Sequence, residues 1–558
     1  MKLYRIDKGY RYLNRYREIV AVFGKYGFAH IFDRLNLALR IRILGRLSKQ
    51  KKTKPSMTVA ARLRLALEEL GPTFIKVGQL LSTRSFLLPA QFIEELTKLQ
   101  DKVKPVEFEQ VRQLITRELG DLDKVFTHFE TIPMASASMA LAYKASLRNG
   151  QNVVVKVQRP GLKRLVDVDM DILHDLASLL ERHVEESRQY EPVSIIDELR
   201  RTMQRELDFT NEARNIESFS KNFEDNRDVY VPKVFWEQTT AHIVTLEYIK
   251  GIKISKIDTL REHGFNLKKI ANLGTRFIMR QIFIYGYFHA DPHPGNLFMT
   301  YDGKIAPVDF GIVGRLDDWL MAKITDLLIA AWKRDIDLIL RVLVDLGAIS
   351  LDAETYMLRY ELSDYLNRYY GLPLSKINMK LLVNDGFEII SRHRLKIPSN
   401  MMLLVKTIGT YEDLARKLDP DYNFVKHLRP YIKRLVLRRL DPEKLAYESS
   451  KSLRDLATLA HMAPREIELI LRRIRRGQIA MELHHHGLDK ITNQVDRSFN
   501  RLSFSLIIAA ITVASSLIMM LDKGPLFLGY PFFGIFGYII AGLLGLGLIV
   551  NILKSGRL

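Results

Sequence analysis

Cysteine is absent from this 558-residue sequence. That excludes disulfides, thiolate nucleophiles and Cys-ligated zinc or iron–sulfur sites. Also missing is a G-x-G-x-x-G fingerprint, so a Rossmann-type dinucleotide site has no phosphate turn to build on. No triad of His and carboxylate of the kind that holds non-haem iron is evident, which argues against direct oxygen chemistry. No internal repeat or low-complexity tract is visible. A signal peptide is not expected, since charged residues interrupt the first apolar stretches throughout. Acidic residues are scarce relative to basic ones: 64 Asp and Glu against 84 Lys and Arg, for a formal net charge of +20.

The positive excess is concentrated at the start. Residues 1–54 hold fifteen Lys or Arg against only Asp7, Glu18 and Asp33. Aromatic and aliphatic residues interleave there, as in Tyr10-Arg-Tyr-Leu-Asn-Arg-Tyr16 and Leu35-Asn-Leu-Ala-Leu-Arg-Ile-Arg-Ile-Leu44. The pattern predicts a basic amphipathic element on a membrane surface, with each basic group contributing about 1 kcal/mol near anionic lipid. Nucleic acid is the competing partner, but no zinc motif, basic zipper or aromatic sheet motif accompanies the charge. At the other end, residues 504–521 run without a charge. At ~1.5 Å per residue they reach about 27 Å, close to the thickness of a hydrocarbon core. A second apolar run covers residues 526–553, and Asp522-Lys-Gly-Pro525 reads as the turn between two transmembrane helices. Arg497 and Arg501 precede the first span, while Lys554 and Arg557 follow the second. The positive-inside rule then sets both flanks, and the body of the protein, on the cytoplasmic side. Gly534-Ile-Phe-Gly537 and Gly542-Leu-Leu-Gly-Leu-Gly547 would allow close helix packing, within the hairpin or between two copies in a homodimer.

The densest chemistry lies in Gly286-Tyr-Phe-His-Ala-Asp-Pro-His-Pro-Gly-Asn-Leu-Phe298, followed by Val308-Asp-Phe-Gly311. Asp291 stands five residues before Asn296, and Asp309 opens an Asp-Phe-Gly turn. Protein kinases use the same spacing. Phosphoryl transfer needs a carboxylate near the attacking group and oxygen ligands that fix Mg²⁺ against the phosphates. Between the two motifs, apolar runs meet at Asp302-Gly303, a hairpin signal that brings Asn296 and Asp309 side by side. Two other readings compete: Asp-Pro and Pro-Gly as plain turn dipeptides, and His289, His293 and the acids as a metal-hydrolase cluster.

A kinase-type site also needs a strand cation for the α- and β-phosphates, paired with a helix carboxylate. Gln151-Asn-Val-Val-Val-Lys-Val157 supplies Lys156 on a β-branched run. Upstream, where a glycine loop would cover the phosphates, stand Ala135, Ser136, Ala137, Ser138, Met139 and Ala140. Small side chains still admit phosphate to backbone N–H groups, but alanine forbids the positive-φ geometry open to glycine, so the loop is stiffer. The same segment could instead open a helix. Partners for Lys156 come from Glu206-Leu-Asp-Phe-Thr-Asn-Glu-Ala-Arg-Asn215, where Glu206, Asp208 and Glu212 fall within two turns and spacing alone does not choose among them.

Taken in order, these motifs resemble the UbiB family of atypical kinase-like proteins, linked to ubiquinone and other isoprenoid-lipid metabolism. The resemblance spans roughly residues 60–320. It includes Phe74-Ile-Lys-Val-Gly-Gln-Leu-Leu-Ser-Thr-Arg84, which is similar to the family's Lys-x-Gly-Gln helix, carried here by Lys76, Gly78 and Gln79. It implies ATP and Mg²⁺ as cofactors, with Ala135 to Ala140 as the alanine loop, Lys156 as the nucleotide lysine and Glu206 and Asp208 as a Glu-x-Asp motif. It further implies Glu212 as the partner of Lys156, Asp291 as the catalytic acid, and Asn296 and Asp309 as metal ligands. The helix of Lys76 would then lie over the place where a protein substrate otherwise binds, favouring ATP hydrolysis or small-molecule phosphorylation. One departure stands out: Leu141-Ala-Tyr143 replaces the family's usual Gln-Val-His run.

The expected architecture is α+β: a two-lobed protein-kinase-like fold with helical additions. Residues 1–59 form the basic membrane-surface region, 60–125 a helical extension, 126–330 the nucleotide-binding core, 331–500 a helical C-terminal region and 501–558 two transmembrane helices. Arg472-Arg-Ile-Arg-Arg476 reads as a basic helix face, and His484-His-His486 as a polar juxtamembrane face rather than a metal site. The expected function is a membrane-anchored kinase-like ATPase acting on or near a polyprenylated quinone precursor. A weakly active nucleotide-binding scaffold for lipid-biosynthetic enzymes is the alternative.

Overall fold

The protein is described from a computed structural model covering residues 2–28, 57–82, 88–99, 106–349, 355–370, 379–439, 488–520, 525–527 and 530–554, with isolated positions 457, 468, 472 and 475. Residues 35–44, the triplet His484 to His486 and the turn at Asp522 lie outside the described residues. The chain divides into two units, Met1–Leu445 and Ala446–Leu558.

In the first unit, helix α1 (Lys2–Lys25) meets α2 (Val59–Leu70) and, further along the chain, α6 (Leu162–His183). Ile19 and Val22 are buried with Leu67, Leu70 and Ile172. Arg15 makes an ion pair of 2.7 Å with the fully buried Asp169 and donates to the Leu70 carbonyl at 2.8 Å. The apolar face of the Ile19–Val22 turn is therefore occupied by protein. A periodic basic helix fits either partner, and on this face Arg15 pairs with the carboxylate of Asp169.

The helical extension continues with α3 (Pro72–Ser82) and α4 (Ala90–Thr97). Gly71, at φ +95°, ends α2, and Pro72 at once begins α3, where a missing N–H costs nothing. Gly78 lies where α3 presses on its neighbours: a Cβ there would come within 2.3 Å of Leu99 Cδ1 and 2.9 Å of Leu67 Cδ1.

After α5 (Phe108–Leu119) comes the N-lobe sheet, with strands β1 (Phe126–Phe129), β2 (Ala135–Ser136), β3 (Ala140–Leu147) and β4 (Asn152–Gln158). It is antiparallel in the order β1-β3-β4-β5, with β5 (Ile243–Glu247) at the far side and β2 pairing with β3. Val153, Val155 and Val157 point into one apolar layer with Tyr143 and Val111. Strict alternation therefore sends Lys156 to the opposite face. Helices α6, α7 (Pro192–Glu206) and α8 (Phe209–Asn222) connect β4 to β5.

The larger core lies in the C-lobe. It contains β6 (Gly251–Lys253), α9 (Leu267–Arg280), β7 (Tyr287–His289), β8 (Leu297–Thr300), β9 (Ile305–Pro307) and β10 (Val313–Arg315). The hairpin read at Asp302-Gly303 is present, with Leu297 opposite Pro307 and Gly303 at φ +85°. Helices α10 (Asp318–Lys333), α11 (Ile336–Asp345), α12 (Tyr356–Tyr369), α13 (Met379–Arg392), α14 (Ser399–Leu418) and α15 (Phe424–Arg439) complete the unit. Helix α14 seats Tyr411 on Gly274 of α9, its hydroxyl donating to the Ala271 carbonyl at 2.6 Å.

The second unit is a helical hairpin of α16 (Leu488–Met520) and α17 (Phe532–Lys554), joined through a short ribbon of β11 (Leu526–Phe527) and β12 (Tyr530–Pro531). The second helix thus begins at Phe532, later than the apolar run at 526, because Leu526 and Phe527 pair as a strand instead. Residues Ser498–Met520 and Phe532–Ile549 are long and apolar enough to cross a membrane. Gly534 and Gly537 pack inside the hairpin: a Cβ on Gly537 would lie 2.0 Å from Ser515 Oγ. Gly542, Gly545 and Gly547 have open space beside them.

Gly78→Ala is expected to lower stability by about 1–3 kcal/mol, the usual range for overpacking. A thermal melt of the variant within a degree of the parent would show that Leu67 and Leu99 yield freely.

Candidate active site

The site is assembled from three separated segments. Lys156 on β4 extends toward α8, where its ammonium pairs directly with the Glu212 carboxylate. It also lies 3.8 Å from Asp309 Oδ1, in the turn after β9. The turn is fixed to the helix as well. The Phe310 N–H donates to Glu212 Oε1 at 3.3 Å, and Asn215 Nδ2 donates to the Phe310 carbonyl at 2.9 Å. Phe310 itself is buried against Phe219, with ring centroids 4.9 Å apart.

Burial opposes the charge on Lys156, but the facing carboxylates Asp309 and Glu212 outweigh it and raise its pKa. Asp309 is half-open to solvent on its outer side. Its surroundings still disfavour charge, yet Lys156 and the Gly311 N–H, which donates to Oδ1 at 3.1 Å, hold its pKa down to about 2. The result is an ammonium with one committed carboxylate, Glu212, and one, Asp309, that is ionised and available to a further cation.

Among the other acids, the structure separates roles that spacing left open. Glu206, at the end of α7, pairs with Lys76 of α3 at 2.7 Å, both side chains nearly buried. A Cβ on Gly311 would lie 4.0 Å from Glu206 Oε2, so this second ion pair borders the Asp-Phe-Gly turn. Asp208 caps α8, accepting from the Thr210 N–H at 3.0 Å and its hydroxyl at 2.7 Å. It thereby orients the helix that carries Glu212. Gln79 donates to the Leu99 carbonyl at 3.4 Å.

The alanine loop forms a strand and turn, not a helix start. Ala135 and Ser136 pair with Ala142 and Leu141, and the Ala137 N–H donates to the Ala140 carbonyl at 2.9 Å. Arg159, just beyond β4, fastens it. Its guanidinium donates to the Ala137 carbonyl at 2.9 Å and to Ser136 Oγ at 2.8 Å. Ser138 is buried, and Met139 packs with Val77 and Leu80 of α3. In this way the helix of Lys76 sits on the loop. Arg159 escaped the sequence reading, although an Arg three residues past the strand lysine was visible.

The loop after β7 carries Asp291, whose N–H donates to His289 Nδ1 at 3.1 Å. His289 is buried, and that burial lowers its pKa, leaving a neutral imidazole. The Asn296 amide approaches the Asp291 carbonyl at 3.5 Å, and the Val308 N–H donates to the Asn296 carbonyl at 3.0 Å. Asn296 therefore stands next to the Asp309 turn. Lys406 of α14 reaches Asp291 Oδ1 at 3.9 Å, a neighbour that sequence reasoning missed. Among the described residues no group of three or more His, Asp and Glu side chains could hold a metal alone, which argues against the hydrolase-type cluster. An acid and an amide that leave most positions to phosphates and water fit Mg²⁺, which keeps several waters and takes one or two protein ligands. The donor set thus fits Mg-nucleotide.

Lysine on a strand, carboxylate on a helix, and an Asp/Asn loop beside an Asp-Phe-Gly turn define a kinase-like protein. Comparison with known sequences then fixes the family. Residues 98–343 match the ABC1 atypical kinase-like domain, 362–423 the UbiB helical domain and 486–554 the ABC1/UbiB kinase-like C-terminal domain. The chain belongs to the ABC1/UbiB family of atypical kinase-like proteins. It is 33% identical to an uncharacterized protein in the hydrogenase 1 5′ region of Clostridium pasteurianum, over 98% of this chain and 99% of that one. It is also 33% identical to "Probable protein kinase UbiB" of Azotobacter vinelandii, over 79% and 84% respectively. A solved structure of Rv3197 with erythromycin, from Mycobacterium tuberculosis, aligns at TM-score 0.45 and 24% identity over 68% of this chain and 94% of that one.

Lys156 and Glu212 should be energetically coupled. In Lys156→Ala/Glu212→Ala, nucleotide affinity is expected to fall little further than in the worse single variant. Additive losses for this pair, together with coupled losses for Lys156 and Glu206, would reassign the partner.

Proposed function

We propose that this protein is a membrane-anchored kinase-like ATPase, or a kinase of a small molecule or lipid, supporting the biosynthesis of ubiquinone or a related isoprenoid quinone or lipid. The observation that carries this reading is the Lys156–Glu212–Asp309 arrangement, which leaves one ionised carboxylate facing the cleft. In this reading Lys156 holds the phosphates of ATP and Glu212 orients Lys156. Asp309 and Asn296 hold Mg²⁺, and the turn from Ala135 to Ala140 covers the phosphates with backbone N–H groups. Bound Mg²⁺ neutralises phosphate charge that develops during transfer. Asp291 accepts the proton of the attacking water or hydroxyl.

The closeness of α3 to the turn and loop supports a small acceptor, or water, over a protein acceptor. The hairpin of α16 and α17 supports anchoring, with the basic flanks on the cytoplasmic side and a polyprenylated precursor or lipid-biosynthetic enzymes as neighbours. A second reading, a nucleotide-binding scaffold with little turnover, draws on one specific feature. Lys76 adds a further positive field at Asp309 and so competes with a metal there. ATP turnover measured with and without anionic liposomes separates the two: turnover that stays at background in both favours the scaffold.

Asp309→Asn is expected to abolish Mg²⁺-dependent nucleotide binding while preserving the fold, because it removes the charged ligand. Thermal-shift titration with Mg-ATP checks this, and unchanged affinity would refute the ligand role. Deleting residues 500–558 should release most of the protein from membranes and leave a salt-sensitive remainder held by the basic N-terminal residues. Retention after a high-salt wash would point to another apolar anchor.

A further inference from the structure

The catalytic loop has no strong cation of its own. Between Gly286 and Phe298 the only basic residues are His289, whose side chain is buried, and His293. Lys156, oriented by Glu212, serves the phosphates nearer to it in the reading above, and Lys76 is paired with Glu206. Yet the phosphoryl group in transfer carries charge at the end of the nucleotide away from Lys156, and such charge calls for a positioned cation. Lys406 supplies one from outside the loop. Its ammonium lies 3.9 Å from Asp291 Oδ1, and both side chains are partly open, at 31% and 39% exposure.

A role in stability does not explain this placement. Ion pairs with that exposure and separation contribute little to folding. The backbone beneath Lys406 is, by contrast, firmly set. Met402, Leu404, Thr407 and Tyr411 of α14 are buried, and Tyr411 locks the helix onto α9 at Gly274. The helix also packs on β10, which pairs with β7, the strand leading directly into the Asp291 loop. Lys406 is therefore a long side chain on a fixed helix, with its charged end at the acid of the loop.

We propose that Lys406 is the cation that binds the terminal phosphate of a nucleoside triphosphate at Asp291; this rests on the nucleotide-binding reading above. In the transfer, the attacking oxygen of water or a hydroxyl gives its proton to Asp291 and bonds to the γ-phosphorus. The bond from that phosphorus to the bridging oxygen breaks, and ADP departs with the electron pair. Lys406 touches the transferred phosphoryl oxygens and stands beside the Asp291 carboxylate that takes the proton. The helical region that follows the kinase-like core thus contributes a residue to the reaction.

The test compares Mg-ADP with the non-hydrolysable β,γ-imido analogue of ATP, using the full chain in detergent. Lys406→Met is expected to lower affinity for the analogue about tenfold while leaving ADP affinity within about twofold. Lys406→Arg should restore most of the difference, which a folding defect would not allow. Lys156→Ala serves as the reference and should weaken both nucleotides. If it does so while Lys406→Met leaves the preference for the analogue intact, the Lys406 assignment alone is overturned. If the parent binds neither nucleotide, or Lys156→Ala weakens neither, the nucleotide reading falls and the assignment falls with it.

Discussion

The site depends on one buried ammonium. Lys156 leaves a strand whose other face is packed with valine, so its charge must be met on the cleft side or not at all. Two carboxylates meet it, one from a helix and one from a turn more than ninety residues further on. Removing one partner of such a buried pair typically costs about 3–5 kcal/mol, because the other is left uncompensated. The same pair therefore ties β4, α8 and the Asp-Phe-Gly turn into one register. The Phe310 N–H on Glu212 and the Phe219–Phe310 contact reinforce that register without adding charge.

A second layer rests on the first. Glycine at position 78 lets α3 settle close to Leu67 and Leu99, and the helix then lays Val77 and Leu80 on Met139 of the alanine turn. Alanine cannot take the positive-φ shapes that make a glycine loop pliable. Arg159 restrains the turn further through Ala137 and Ser136. Where a glycine loop closes over a nucleotide by bending, this turn has few ways to bend. The turn is therefore preset by α3 and Arg159, and it moves only if they move.

What could be read from the sequence was what is encoded locally. The hairpin at Asp302-Gly303 follows from turn chemistry, and it forces Asn296 beside the Asp309 turn whatever the rest of the chain does. The lysine strand follows from its β-branched alternation, and the apolar hairpin from the length of its runs. Choices among acids were less legible. Glu206, Asp208 and Glu212 share a short segment, yet one pairs with Lys76, one caps a helix and one pairs with Lys156. A break between α7 and α8 decides which way each points, and spacing on one continuous helix does not contain that break. Lys406 was invisible for a simpler reason. It reads as a polar residue on an amphipathic helix over a hundred positions from Asp291, and only the packing of α14 gives it a partner. The first helix shows the same limit: its basic, periodic pattern does not reveal that Arg15 pairs with Asp169.

The two ion pairs around Asp309 also compete. Lys156 and Lys76 both favour its ionised form, while desolvation and the neighbouring Glu212 carboxylate oppose it. In the proposed reading, a divalent cation at that carboxylate would meet two ammonium groups already drawing on the same charge. Glu212 and Glu206 offset this by engaging those ammonium groups at contact distance. In that reading, affinity for a metal would depend on acids that do not ligate it. Lengthening the Lys76–Glu206 contact would free that ammonium and raise the positive potential at Asp309. Tightening the contact would leave the carboxylate to the metal. The helix of Lys76 thus sets part of the charge felt at Asp309.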